Sequence, residues 1–227
     1  MKCTRVFFVV CSMLLLAGCS SSVVKTQYYT LQVRDMPNGF DKKNTEREGI
    51  GVDRIVNDKA TTKRIGIYPI KMPDYAKHDG IVSLSEANQI SISRKHIWAG
   101  EFEREATRVL TANIRKLYNQ STVLHFPWSK TASPDVLVRV VVDDFVGVLG
   151  GDVRLAGQLE LEGVPYVGES RFLDFNFDVK PSEDSLQLNK AKGSNQEAYK
   201  IYVSNYSKLL YKLSAFISNN LSDIRDQ

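Results

Sequence analysis

The sequence predicts a single α/β domain built on a mixed sheet, part of it an antiparallel meander, with at least two amphipathic helices. Two periodicities and one global property predict it. Apolar residues alternate in short runs such as 152–162 and 173–179, as half-buried strands require. They recur at spacings of three and four in 97–118 and again in 199–221, as amphipathic helices require. The composition is globular: 227 residues, 43% hydrophobic and 25% charged, with no internal repeat.

In chain order, Gln27 to Val33, containing Tyr28-Tyr29-Thr30-Leu31, is β-prone and predicts the first strand. Residues 35–64 hold few large apolar side chains and many mixed charges, which predicts a solvated, mobile insertion. Ile65 to Ile70 is a β-branched run that meets Pro69 and turns through Lys71-Met72-Pro73-Asp74-Tyr75. A strand pair follows at Gly80 to Leu84 and Gln89 to Ser93. Trp98, Phe102, Ala106, Val109, Leu110, Ile114 and Leu117 then make one helical stripe, which predicts a helix over about 97–118.

Val123 to Phe126 is a short strand ending at Pro127. Val136 to Val142 is apolar on both faces, which predicts a central strand covered on two sides. After Gly150-Gly151, residues 152–162 place Val153, Leu155, Leu159 and Leu161 on one face and charged or amide side chains on the other. Leu173, Phe175, Phe177 and Val179 repeat that pattern and complete the meander. Ser194 and Glu197 have capping-box spacing and predict the start of a long helix, whose stripe runs through Tyr199, Tyr202, Tyr206, Leu209, Leu213 and Phe216. These tyrosines are expected to pack on the sheet.

The N-terminus has a separate logic. Lys2 and Arg5 precede the apolar run Val6 to Leu16, which ends in Leu16-Ala17-Gly18-Cys19. The run is about half the ~20 residues a permanent span needs, so residues 1–18 read as a signal peptide. Leu-Ala-Gly-Cys is a bacterial lipobox, which predicts cleavage between Gly18 and Cys19, a diacylglycerol on the Cys19 sulfur and an acyl chain on its new amino group. Cys3 and Cys11 leave with the signal, so the oddness of three cysteines disappears. Residues 19–26 become the lipidated terminus and tether, and 27–227 the domain. Ser20, rather than Asp, after the lipidated position favours the outer membrane of a Gram-negative cell, on its periplasmic leaflet. The seven residues from Ser20 to Thr26 reach at most about 25 Å, so the domain stays beside its own membrane.

Catalytic chemistry finds little support. His78, His96 and His125 stand apart, each expected on the surface or in a turn, with no spacing that would assemble a metal site. Asp143 and Asp144 would point to opposite faces of a strand, so a bulge or strand end is expected there. The run Gly147 to Gly151 lacks the Lys-Ser/Thr of a phosphate loop, and no Gly-x-Ser-x-Gly elbow occurs. Neither a catalytic residue nor a cofactor is expected. A formal charge of +4, lowered when Lys2 and Arg5 are removed, does not point to nucleic acid.

The lipobox, the Tyr28-Tyr29-Thr30-Leu31 strand, Ile67 to Tyr75 followed by Ile81-Val82, and His96-Ile97-Trp98-Ala99 occur in the order seen in the ABC-type transport auxiliary lipoprotein family, the PqiC-like lipoproteins, which this chain resembles from Cys19 to about Phe216. The resemblance implies a three-layer α/β domain at the outer membrane. It also implies a non-catalytic role beside a substrate-binding MCE-domain subunit that bridges the periplasm and moves lipid between membranes, a system supporting membrane integrity. A face shaped by Pro73, Asp74 and Tyr75 and by a helix starting at Trp98 would receive that subunit, and a homo-oligomer around a tubular partner fits the same picture. Two rival readings accompany it: an envelope-tethered enzyme or small-ligand binder with a pocket lined by Tyr199, Tyr202 and Tyr206, and a scaffold for surface-polymer export.

Overall fold

A computed structural model describes residues 25–34, 63–85, 89–118, 122–164, 170–180 and 195–222. The elements are β1 (Gln27–Tyr29), β2 (Ile65–Ile67), β3 (Gly80–Leu84), β4 (Ile90–Trp98), α1 (Phe102–Leu117), β5 (Val123–His125), β6 (Val136–Gly147), β7 (Val153–Gly163), β8 (Arg171–Val179) and α2 (Asn195–Ser222). They form one α/β domain with mixed strand pairing, an antiparallel meander and two long helices, as the periodicities predict.

The strands divide into two sheets rather than one. The larger has the order β5-β2-β6-β7-β8, with β2 parallel to both β5 and β6, and β6-β7-β8 as the meander. The smaller has the order β1-β4-β3, with β1 parallel and β3 antiparallel to β4. A single parallel bridge between Leu84 and Val148 links β3 to the end of β6.

Both helices lie against the large sheet and against each other. Their inward stripes, including Leu110 and Ile114 of α1 and Leu209 and Leu213 of α2, meet Val138, Val140, Leu155 and Leu159 in one continuous core. Burial of this apolar area, at roughly 25 cal/mol per Å², is what holds the layers together. Carboxylates in the first turn of α1 (Glu103, Glu105) and cations in its last (Arg115, Lys116) complement the helix dipole. The extended chain after β1 straps the helix pair. Arg34 N donates to Asn113 Oδ1 of α1 at 3.1 Å, and Gln32 N donates to Ser207 Oγ of α2 at 3.2 Å.

Several local expectations change. The helix over 97–118 begins only at Phe102, because the preceding amides are committed elsewhere: Trp98 N donates to Asp79 O and Ala99 N to Tyr29 O. His96, Ile97 and Trp98 therefore end β4, which runs five residues beyond Ser93. The first strand stops at Tyr29 for a related reason, since the residues after it bond to helices instead of a neighbouring strand. Strand β6 continues past Val142 through a register shift at Asp144, the bulge expected at the Asp143-Asp144 pair. Opposite that shift Gly157 allows close approach, since a Cβ there would sit 2.1 Å from Val141 O. Finally, before its bulge β6 is covered on one face only: Val136, Val138, Val140 and Val142 are buried, whereas Val141 is exposed on the far side. The Ser194 cap, the signal sequence and most of the 35–64 insertion lie outside the described residues.

Candidate functional site

The segment that follows β2 is fixed to α1 and to the β6 bulge. Pro73 is extended and Asp74–Lys77 form one 3₁₀ turn, closed by Ala76 N donating to Pro73 O at 2.9 Å. Upstream, Ile70 N donates to Thr107 Oγ1 at 3.0 Å and Met72 N to Glu103 Oε2 at 3.2 Å, tying the segment to the first two turns of α1. Tyr75 makes the second attachment. Its hydroxyl accepts from Phe145 N at 2.9 Å and donates to Asp144 Oδ1 at 3.3 Å. The bulge thus turns Asp144 toward a phenol, and burial raises the Tyr75 pKa.

Of the four residues expected to shape a partner face, only Asp74 is well exposed, paired with Lys77 at 2.8 Å. Such an exposed pair contributes little to stability. Pro73 and Tyr75 are half-buried. Trp98 is 6% exposed and belongs to the core, stacked on Phe102 at 4.6 Å and edge-on to Tyr206 at 5.8 Å. Its place is behind the 71–77 segment, since Phe102 also contacts Phe145, whose amide holds Tyr75.

The tyrosine stripe of α2 closes on itself and on backbone. Tyr202 Oη accepts from Gly147 N at 2.8 Å and lies 2.9 Å from Gly147 O and 3.1 Å from Val82 O, so one hydroxyl joins the end of β6 to β3. Tyr206 Oη reaches Phe145 O at 3.1 Å. Burial pushes the Tyr202 phenol up to about 12 and the Tyr206 phenol well above its ordinary value, which keeps both protonated and unsuited to act as bases. Tyr199 stacks on His96 with ring centroids 3.8 Å apart, and the Tyr29 hydroxyl lies 2.8 Å from His96 Nδ1. His96 is therefore a buried residue between two phenols, not the surface residue its isolation in sequence suggests. Burial, with Lys95 assisting, lowers its pKa. These rings fill the space that a ligand pocket lined by Tyr199, Tyr202 and Tyr206 would need.

One cluster escaped the sequence reading. On the outer face of the large sheet Tyr68, Phe126 and Trp128 contact one another at centroid distances of 5.1–5.2 Å. Arg139 lies over the Tyr68 ring at 4.8 Å and pairs with Glu160 at 3.1 Å and with Glu162. The signal was the spacing Phe126-Pro127-Trp128 beside an alternating strand, which only register can connect to Tyr68. Arg64 similarly grips Asp135, and that interaction holds the Asp135 carboxyl below its usual range.

Among the described residues no group of three or more His, Cys, Asp or Glu side chains could hold a metal ion, and no helix is long and apolar enough to cross a membrane. The arrangement is a braced scaffold with an ordered turn on its surface. The family model for the ABC-type transport auxiliary lipoprotein component matches residues 53–217, most of the chain, with all of α1 and most of α2. The chain belongs to that family. As a family member it is an auxiliary component of ABC-type transport and an envelope lipoprotein, a role without catalysis.

Solved structures agree on the fold of this auxiliary lipoprotein. An uncharacterized protein aligns at TM-score 0.59 with 18% identity, over 87% of this chain and 99% of its own. A protein from Xanthomonas campestris aligns at TM-score 0.56 with 9% identity and the same coverage, 87% and 99%. Comparison with curated proteins gives no match. Gly18 and Cys19 lie outside the described residues.

Proposed function

We propose that this auxiliary lipoprotein is anchored through Cys19 to the periplasmic leaflet of a Gram-negative outer membrane, where it receives an MCE-domain subunit of an intermembrane lipid transport system that supports membrane integrity. One observation carries the reading: Leu16-Ala17-Gly18-Cys19 stands at the end of a short apolar run and a transport-auxiliary domain follows it in the same chain. A triacylated cysteine holds a domain to a bilayer without a spanning helix, because each buried methylene contributes roughly 0.8 kcal/mol and two or more chains suffice for stable anchoring. The short tether requires a partner that bridges the periplasm, and the 71–77 turn is the ordered surface offered to it. Pro73, Asp74 and Tyr75 form that face, with Trp98 supporting it from within. A pre-formed turn loses little entropy on docking, which suits a receiving surface.

The test has two readouts. Cys19→Ala should leave the precursor unprocessed or send the domain to the soluble periplasm; a processed Cys19→Ala protein still sedimenting with outer membranes overturns the anchor. Detergent-solubilised wild type should co-purify with a candidate MCE-domain protein, and Asp74→Lys should weaken the capture. Absence of any association in native membranes overturns the partner.

A further inference from the structure

One end of the molecule gathers apolar side chains that stand exposed among the described residues. Strand β4 carries two stretches separated by a register shift: Ile90 and Ile92 pair with Leu84 and Val82 and share a face, the next β3 pair is Gly80 with Ile97, and His96 and Trp98 lie beyond the shift. At the inner end His96 and Trp98 are 8% and 6% exposed; at the outer end Ile90 and Ile92 are 48% and 43% exposed. The change follows from pairing. β1 flanks β4 only at His96–Trp98, so the Ile90–Ile92 stretch, paired with β3 along one edge, has an open edge on the other. Leu84 pairs with Ile90 and also bridges Val148, which aligns Val148, Leu84 and Ile90 across neighbouring strands. Val148 is itself exposed and opens the uncharged Val-Leu-Gly-Gly turn between β6 and β7.

The direction of β1 says what lies beyond this end. Because β1 runs parallel to β4 with Gln27 opposite His96, the chain followed back from Gln27 toward Lys25 heads the same way as β4 followed back from His96 toward Ile90. Eight residues separate the start of the domain from the lipid, Cys19 to Thr26, a reach of at most about 28 Å. Ile90 to Ile97 is matched by only Leu84 to Gly80 of β3, so the arm extends roughly 13 Å in that direction. A tether of that reach lets the arm's outer end touch the surface to which the lipid is fixed. Charge agrees. Arg94 and Lys95 are exposed one step inward from the isoleucines, and Lys25 is exposed on the tether side. Among the described residues none of the three makes an ion pair. In the sequence, Glu86, which lies outside the described residues, is the only carboxylate between Gly80 and Trp98.

We propose that this end is a membrane-contact surface. Ile90, Ile92 and Val148 enter the interfacial region of the leaflet that holds Cys19, while Arg94 and Lys95 meet its anionic phospholipid headgroups. The proposal rests on the reading of Cys19 as the lipid anchor and adds an orientation to it. A lipid tether alone leaves the domain free to tumble; a second contact of isoleucines and cations fixes which face looks away from the membrane.

The experiment uses the processed, lipidated full chain carrying Ile92→Cys, labelled with an environment-sensitive fluorophore and placed in vesicles of phosphatidylethanolamine and phosphatidylglycerol. Phe172→Cys is the control, since Phe172 is exposed but lies on β8 opposite Glu160, toward the other end of the sheet. The label at position 92 should shift to the blue and lose most of its emission to an acyl-chain nitroxide, while the label at 172 keeps its own. Omitting phosphatidylglycerol, or introducing R94E/K95E, should reduce the quenching at 92. Val148→Cys should repeat the result independently. Equal, weak quenching at 92 and 172 while the protein still floats with vesicles overturns the orientation and leaves the anchor intact. Failure to float overturns the anchor and the orientation with it. Copy-to-copy cross-linking through I92C, without lipid quenching, overturns the proposal in favour of an interface between copies.

Discussion

Along α2, Tyr199, Tyr202, Tyr206, Leu209 and Leu213 are all buried, whereas along β4 burial is lost across its register shift, from His96 and Trp98 to Ile90 and Ile92. The helix row keeps its spacing of three and four without a break, while the strand's period of two is interrupted by that shift. The difference is cover. The helix row has β3, β6 and the rings of α1 and β4 opposite it, and its hydroxyls find Gly147, Val82 and Phe145. The strand row has such cover only where β1 and α2 reach it, as at His96 beneath Tyr199. Periodicity therefore assigns a face, and the extent of neighbouring elements decides how much of that face is core.

The sharpest way to break this contrast is at the centre of the covered row. Tyr206→Ala removes a ring that touches Trp98, Phe102, Phe145 and Tyr202, together with a hydroxyl bonded to Phe145 O. Truncating a fully buried aromatic leaves a cavity lined by rings that cannot all collapse into it, and the expected loss is about 3–5 kcal/mol in urea unfolding. A loss near zero would mean that this row is not the core the contacts describe.

A middle-sized effect is expected at the boundary. The His96 pKa is lowered by burial, then by Lys95, from 6.5 in the unfolded chain. Below 6.5 the unfolded state therefore binds a proton that the folded state refuses. Stability rises with pH through this window and is lost as pH falls from the unfolded value toward the depressed folded one. In the folded neutral form Tyr29 can donate to Nδ1; protonation removes that acceptor. Wild type should thus lose thermal stability between about pH 7.5 and about pH 5.5, and His96→Phe should lose less over the same interval. Identical pH dependence in the two proteins would place His96 in contact with water.

Much of the fold is legible in the sequence where one rule acts alone. β7 and β8 alternate cleanly because each buries one face, β7 between β6 and β8 and β8 on the sheet edge beside β7, and α2 declares itself through a stripe six turns long. The Asp143-Asp144 pair also told its story, since two adjacent carboxylates inside an apolar strand are accommodated at a bulge. Reading failed where two rules compete. Trp98 stands four residues before Phe102 and so fits the helical stripe, yet its amide pairs with Asp79 and the next with Tyr29, and these non-local bonds decide in favour of a strand. His96 looked solitary for the same reason: its neighbours Tyr29 and Tyr199 come from distant segments. The aromatic cluster of Tyr68, Phe126 and Trp128 depends on β2 and β5 being parallel partners, a register that local pattern does not contain. Of the candidate site, the 71–75 turn was visible from its prolines, while its attachment through Tyr75 required the bulge to be placed in space.

The smallest expected effect tests the uncovered row. Ile92→Thr keeps a β-branched side chain, so strand preference is largely preserved, and removes apolar surface that is already in water. Exposed substitutions of this kind change stability by no more than about 0.5 kcal/mol. The same exchange at Ile81, fully buried on β3, should cost several times as much, because a hydroxyl enters the core and a methylene leaves it. Urea unfolding of both variants in solution measures the ratio. A large loss at Ile92 would mean that another part of this chain covers the arm, leaving no apolar surface at that end. A negligible loss, by contrast, leaves the isoleucines at the arm's outer end with no role in holding the fold, and their apolarity then has to be explained by what the arm meets outside the domain.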